Sequence, residues 1–148
     1  MKDISSGFIV ECKDGRFLLG RADAHEEPYC YTVFKGKQEI NETLIDTAIR
    51  ELKEETGIDV VSDHRLNKNI STNYVHTYSM KRKDVYLYLL CDKEGVLDSF
   101  EPKCSSFMEN GRPEICEYRR FNLDELERNI FPSQRGIIDV LKKISWEK

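Results

Sequence analysis

Glu51, Glu54 and Glu55 crowd the segment RELKEE. Residues three and four positions apart on an α-helix share a face. Two carboxylates ~6 Å apart repel by roughly 3 kcal/mol at an effective dielectric near 20. At a surface, water screens that repulsion; in a cleft the carboxyls must rise in pKa or take a counter-charge. A hard divalent cation such as Mg²⁺ or Mn²⁺ binds through oxygen ligands and meets that demand. Arg50 can pair with a neighbouring glutamate and fix its rotamer, as the outer partners of metal ligands do. Taken alone, RELKEE also describes a solvated charged helix face.

The elements that must hold these groups are legible around them. From Asn41 onward, Leu44, Ile45, Ala48, Ile49 and Leu52 recur at helical spacing. Asn41 is the expected N-cap, with Glu42 in a first turn that favours acids, and Gly57 ends the helix. Upstream, GFIVEC and RFLLGRA flank an Asp14-Gly15 turn, a hairpin pattern, and CYTVF is a third short strand. Downstream, IDVV, NISTNYVHTY, DVYLYLLC and ICEYRRF are strand-like, with the basic tip SMKRK joining the second and third. NLDELERN is a short helix and SQRGIIDVLKKI an amphipathic one, with Trp146 expected to pack as a lid on its last turn. The 92–114 stretch, with Gly95, Pro102, Gly111 and Pro113, is long for a connection and predicts a functional loop. The pattern predicts a single domain over 1–148 of α/β (α+β) class, an α/β/α sandwich around a mixed β-sheet.

The 148 residues carry a net charge of −4, which gives no overall basic field for nucleic acid. A polyanion would have to be held by a local patch or a bound cation. No apolar run approaches membrane-spanning length, and MKDISSGFIVEC does not read as a signal peptide. Cys12, Cys30, Cys91, Cys104 and Cys116 are odd in number and form no C-x-x-C, so they read as reduced thiols of a cytoplasmic protein, with Cys12 and Cys91 in the core.

The full stretch from Gly36 to Ile58 fits G-x5-E-x7-R-E-U-x-E-E-x-G-U, where U is apolar: Gly36, Glu42, Arg50, Glu51, Leu52, Glu54, Glu55, Gly57 and Ile58 fill every position. This is the signature of the Nudix hydrolases, and the sequence resembles that family from about Gly7 to Ile144. The resemblance implies a Nudix fold and a Mg²⁺- or Mn²⁺-dependent hydrolase of a nucleoside diphosphate linked to some group X. It implies Glu51, Glu54 and Glu55 as metal-binding carboxylates, a carbonyl ligand from Gly36, an orienting Arg50 and a structural Glu42. RPEICEYRRF resembles a family segment in which a glutamate ahead of the strand reaches the metals; Glu114 is the first choice there and Glu117 the second, with Glu114 also the candidate general base outside the signature.

For X, YTVFKGK resembles the segment before the signature in diadenosine tetraphosphate hydrolases and RNA pyrophosphohydrolases, although Phe34 stands where those have proline. Lys35 is then a phosphate contact. Tyr74, sixteen residues past Ile58, resembles a tyrosine that marks dinucleoside polyphosphate hydrolases. Lys81 and Lys83, at a basic tip, are candidates for a polyphosphate chain or an RNA 5′ end. His25 in its loop and Gln134 or Arg135 in FPSQRG are further candidates to line the pocket. The expected partner is a nucleotide, a dinucleoside polyphosphate first and RNA or another nucleoside diphosphate second. A nucleotide-sensing module is the non-enzymatic alternative; no obligatory protein partner or membrane association is evident.

Overall fold

Strand β1 (Asp3–Glu11) alternates its side chains between two cores, and the fold grows outward from it. The computed structural model describes residues 2–23 and 25–147, with the side chains of 145–147 left out, so the expected packing of Trp146 lies outside the described residues. β1 runs parallel to β6 (Lys83–Cys91) along its whole length, from Asp3↔Lys83 to Glu11↔Cys91. On its other edge it pairs with β2 (Phe17–Ala22) only at Val10↔Leu18 and Glu11↔Phe17. There β1 and β2 diverge. β3 (Tyr31–Thr32) pairs with β2, and β4 (Phe34–Lys37) pairs with β1. One continuous segment, bent at Val33, therefore bridges the splayed strands. β5 (His76–Ser79) and β7 (Ile115–Phe121) complete a seven-stranded mixed sheet, β5 beside β6 and β7 beside β2.

Phe8, Val10, Tyr88 and Leu90 pack on one face of the sheet against Ala48 and Leu52 of α1 (Leu44–Thr56). Ile9, Val85, Leu87 and Leu89 pack on the other face against Leu126 of α3 (Leu123–Asn129) and Ile137 and Leu141 of α4 (Gly136–Glu147). The four-residue α2 (His64–Asn67) contributes Leu66 to the α1 side. This is the helix–sheet–helix layering that the element order predicts.

Four local expectations need correction. The α1 N-cap is Thr43, not Asn41: Thr43 Oγ1 accepts the Asp46 N–H at 3.2 Å while Asp46 Oδ2 accepts the Thr43 N–H at 3.1 Å, a reciprocal capping box. Asn41 stands at φ 68°, a left-handed turn position that asparagine tolerates. IDVV is a turn, because the Asp59 carboxylate accepts the N–H groups of Val61 and Ser62, while Ile58 and Val60 still bury themselves in the core. Of NISTNYVHTY only the end from His76 joins the sheet; Ile70 makes one isolated bridge to Leu90. Cys91 is half-buried rather than core, and no two cysteines form a disulfide.

Candidate functional site

Two cavities open where β1 and β2 part, and they meet at Lys35, Lys83 and Glu114, which line both. The first, of about 1070 Å³, is walled by Gly36, Arg50, Glu51 and Glu54; the second, of about 680 Å³, by Glu55 and by Tyr29, Tyr78, Met80, Phe131 and Gln134. One half of the cleft is charged and the other is largely aromatic and apolar.

Helix α1 delivers its carboxylates to this seam because Ala48 and Leu52, wholly buried, fix its rotation against β1. Its last carbonyls are occupied as well. Ser105 N–H donates to Glu54 O at 2.7 Å, Lys103 N–H to Thr56 O at 3.0 Å, and the Tyr118 hydroxyl to Glu55 O. The long 92–114 connection is thus pinned to the end of α1, and the same connection carries Glu114 into the cleft, where its N–H donates to Ser106 O at 2.9 Å.

Glu55 is buried and accepts the Lys35 backbone N–H at 3.0 Å. Burial first, and the Glu51 charge second, push its pKa well above the ordinary carboxylate range, with Lys35 opposing. Burial and the Glu54 charge likewise raise Glu51 against the pull of Arg50. The Glu114 charge acts on both, so the loop glutamate stands close to the helix pair. Arg50 threads the acidic group: Nη1 donates to Glu51 at 2.9 Å and to Glu54 at 3.2 Å, Nε to Glu42 at 2.7 Å, and Nη2 to Lys37 O at 2.9 Å. Among the described residues no three acidic, histidine or cysteine side chains converge at metal-ligand spacing. A monovalent guanidinium holds Glu51 and Glu54 instead. The donor set nonetheless fits a hard cation: the oxygens are carboxylates, two of them are raised in pKa by burial and by neighbouring acids, and the Gly36 backbone lies so near Glu51 that a Cβ there would come within 2.1 Å of its carboxyl carbon.

Lys35 and Lys83 approach each other across the seam. Burial, then the Lys83 charge, brings the Lys35 pKa down to about 8, with Glu55 and Glu51 pulling it back up. Two ammonium groups held together beside a cavity make a site for a multiply charged anion.

The remaining sequence candidates divide. His25 lines the second cavity, its ring 4.9 Å from that of Phe131, and Gln134 lines it too. Arg135 instead lies over the Tyr29 ring at 4.9 Å. Tyr74 and Lys81 line neither large cavity: Tyr74 packs edge-on to Tyr86 at 5.1 Å, and Lys81 is exposed in the turn that Met80 N–H closes on Lys83 O. Glu117 faces away as well, 3.7 Å from Arg21. Tyr29, Tyr78, Met80 and Phe131 carry no signal in their spacing; separate segments meet only through the splay of β1 and β2. Among the described residues no helix is long and apolar enough to cross a membrane.

A family model described as NUDIX domain matches residues 1–141. No curated protein matched the chain. Among solved structures, a MutT protein from Methanosarcina mazei superposes with a TM-score of 0.64 at 21% identity, over 99% of this chain and 94% of that one. A C. elegans Ap4A hydrolase superposes at 0.64 with 20% identity, over 98% and 96%. A bifunctional NMN adenylyltransferase/ADP ribose pyrophosphatase from Francisella tularensis, complexed with AMP and a manganese ion, superposes at 0.70 with 17% identity, over 97% of this chain and 42% of that one. At these identities the superpositions speak to the fold.

Proposed function

We propose, for a chain that belongs to the NUDIX family and so to the hydrolases of phosphorus-containing acid anhydrides, that it hydrolyses a nucleoside diphosphate linked to X with the pyrophosphate seated at Lys35 and Lys83. The observation that carries this reading is that both lysines and Glu114 line both halves of the cleft. Phosphates at that seam would lie between the acidic group on α1 and an aromatic cavity whose volume, about 680 Å³, is in the range of small-molecule sites.

Gly36, Glu51, Glu54, Glu55 and Glu114 are the residues we assign to holding Mg²⁺ or Mn²⁺. Bound there, such ions would polarise the phosphoryl oxygens and lower the pKa of an attacking water. The chain's own groups do the rest. Lys35 and Lys83 offset the phosphate charge and orient the anhydride. Arg50 holds Glu51 and Glu54 in place. Glu114, at the seam, takes the proton of the attacking water. The new P–O bond forms as the bridging P–O bond breaks, and the departing phosphate keeps its electron pair. The phenyl ring of Phe131 is the wall we assign to the base.

Dinucleoside polyphosphates are the first X to test. YTVFKGK supports them, while Tyr74, outside the cleft, adds nothing. The deciding experiment incubates the protein and its Glu54→Gln variant with Mg²⁺ or Mn²⁺ and a panel of dinucleoside polyphosphates, ADP-ribose, nucleotide sugars, nucleoside triphosphates and 5′-triphosphorylated RNA, and reads products by mass. Metal-dependent cleavage lost in the variant supports the assignment. Nucleotide binding with no cleavage of any member would make the domain a sensor.

A further inference from the structure

A buried amide fixes the polarity of a short hydrogen-bond chain that ends in the aromatic cavity. Gln134 is wholly buried, on the 3₁₀ turn Pro132–Gln134. Its Oε1 accepts the backbone N–H of Val33 at 3.1 Å. A backbone N–H can only donate, so the orientation of the amide is settled and Nε2 must face the other way. From there Nε2 donates one proton to Thr32 Oγ1 at 2.8 Å and the other to Tyr78 Oη at 3.2 Å. The Thr32 hydroxyl in turn gives its own proton to Val33 O at 2.8 Å. Each proton in this chain is committed except one. The Tyr78 oxygen receives, so its O–H is left to donate, and Tyr78 lines the cavity with Phe131 and Met80. Burial pushes its pKa up to about 12, so the proton stays on the oxygen at neutral pH.

We infer that Tyr78 is a specificity-determining residue whose hydroxyl donates to a ring-nitrogen acceptor of the nucleobase. The inference rests on the pyrophosphohydrolase reading for its substrate. The phosphates already have Lys35 and Lys83, whereas an uncharged donor oriented by Gln134, beside the apolar side chains of Phe131 and Met80, suits a neutral acceptor. A base that turns an amino group toward Tyr78 meets donor with donor and is disfavoured. Sites built around such a bond discriminate more sharply than apolar pockets do.

The test measures kcat/KM of the wild type and Tyr78→Phe on the preferred nucleotide, on its deaza analogues that each lack one ring acceptor, and on the same compound without its base. The expected result is a loss of about 10-fold for Tyr78→Phe on the parent, the worth of one hydrogen bond, carried mainly in KM. One deaza analogue should lose as much in the wild type and nothing more in the variant, and the baseless compound should show no difference. No loss, or an equal loss on every compound, overturns the inference. Should Tyr78→Phe fail to fold, the deaza scan on the wild type decides, and overturns the idea if no ring acceptor matters. If the wild type cleaves nothing, the functional reading falls by itself. Calorimetric binding of the matching nucleoside monophosphates, wild type against Tyr78→Phe, then judges Tyr78: about 10-fold weaker binding supports it and equal binding overturns it.

Discussion

The Lys35 backbone N–H donates to Glu55 Oε1 at 3.0 Å, so the strand that bridges β1 and β2 grips a carboxylate near the end of α1. The two elements are held as one piece at the point where the charged and aromatic halves of the cleft meet. This contact needs only an acceptor oxygen at position 55. The chemistry assigned to the site needs a carboxylate.

That difference separates structure from catalysis in Glu55→Gln. A glutamine keeps an oxygen for the Lys35 N–H and removes a buried acid that crowds against Glu51. We expect an unchanged or raised melting temperature and a fall in kcat/KM of at least about 100-fold, as for removal of a metal-holding carboxylate. A fall of less than about tenfold on the preferred substrate would remove Glu55 from the machinery.

Gly36→Ala acts on the neighbouring carboxylate from outside the helix. The added methyl would stand 2.1 Å from the Glu51 carboxyl carbon, so Glu51 must swing away from its bond to Arg50. The backbone of β4 can stay where it is, and the expected stability cost is about 1 kcal/mol. Metal affinity, read by titration of Mn²⁺ with electron paramagnetic resonance, is expected to weaken about 10- to 100-fold. Unchanged Mn²⁺ binding would show that Glu51 is not a ligand.

The acidic half of this cleft was legible because its residues lie on one helix, where spacing along the chain is spacing in space. Glu51, Glu54, Glu55 and Arg50 needed only the helical period to be grouped. Gly36 and Lys35 came through the resemblance of the segment that leads into that helix to the Nudix hydrolases, not through spacing. The aromatic half was not legible in this way. Tyr29 precedes β3, Tyr78 lies on β5 and Phe131 between α3 and α4, and they meet only because β1 and β2 separate after Val10↔Leu18. Tyr74 went the other way: its place in the sequence suggested a base contact, but the sheet turns it onto Tyr86 and Tyr88. The N-cap was missed for a local reason. Thr43 and Asp46 form a capping box with aspartate where glutamate or glutamine is the usual signal.

Lys83→Met tests whether the paired ammonium groups hold phosphate. Lys83 reaches the cleft from the start of β6, and its charge is one reason the Lys35 pKa falls to about 8. Loss of one charge from an anion site is expected to raise KM about tenfold with kcat changed less. The variant should also lose part of the wild-type dependence of KM on salt. A KM that does not move, at any ionic strength, would place the phosphates elsewhere.

Glu42 gives a prediction whose sign depends on pH. Its carboxylate takes two bonds from Arg50, at 2.7 and 3.0 Å, one from the Thr47 hydroxyl at 2.9 Å and one from the Glu39 N–H at 2.9 Å. The Arg50 bonds above all hold its pKa down to about 2, from an ordinary 4.5. A carboxyl depressed in the folded state contributes stability that is fully present above its unfolded pKa and is lost as pH falls through its folded pKa. The window for Glu42 therefore runs from 4.5 down to about 2. Glu42→Gln is expected to cost about 2–3 kcal/mol at pH 7, because it strips a charged acceptor from a largely enclosed guanidinium. As pH falls through that window the wild type should lose this advantage and the two stability curves should converge. Urea unfolding of both proteins at pH 7, 5, 3 and 2 reads the gap directly. A gap that stays constant to pH 2 would mean that the ionised carboxylate is not what holds Arg50 among the glutamates.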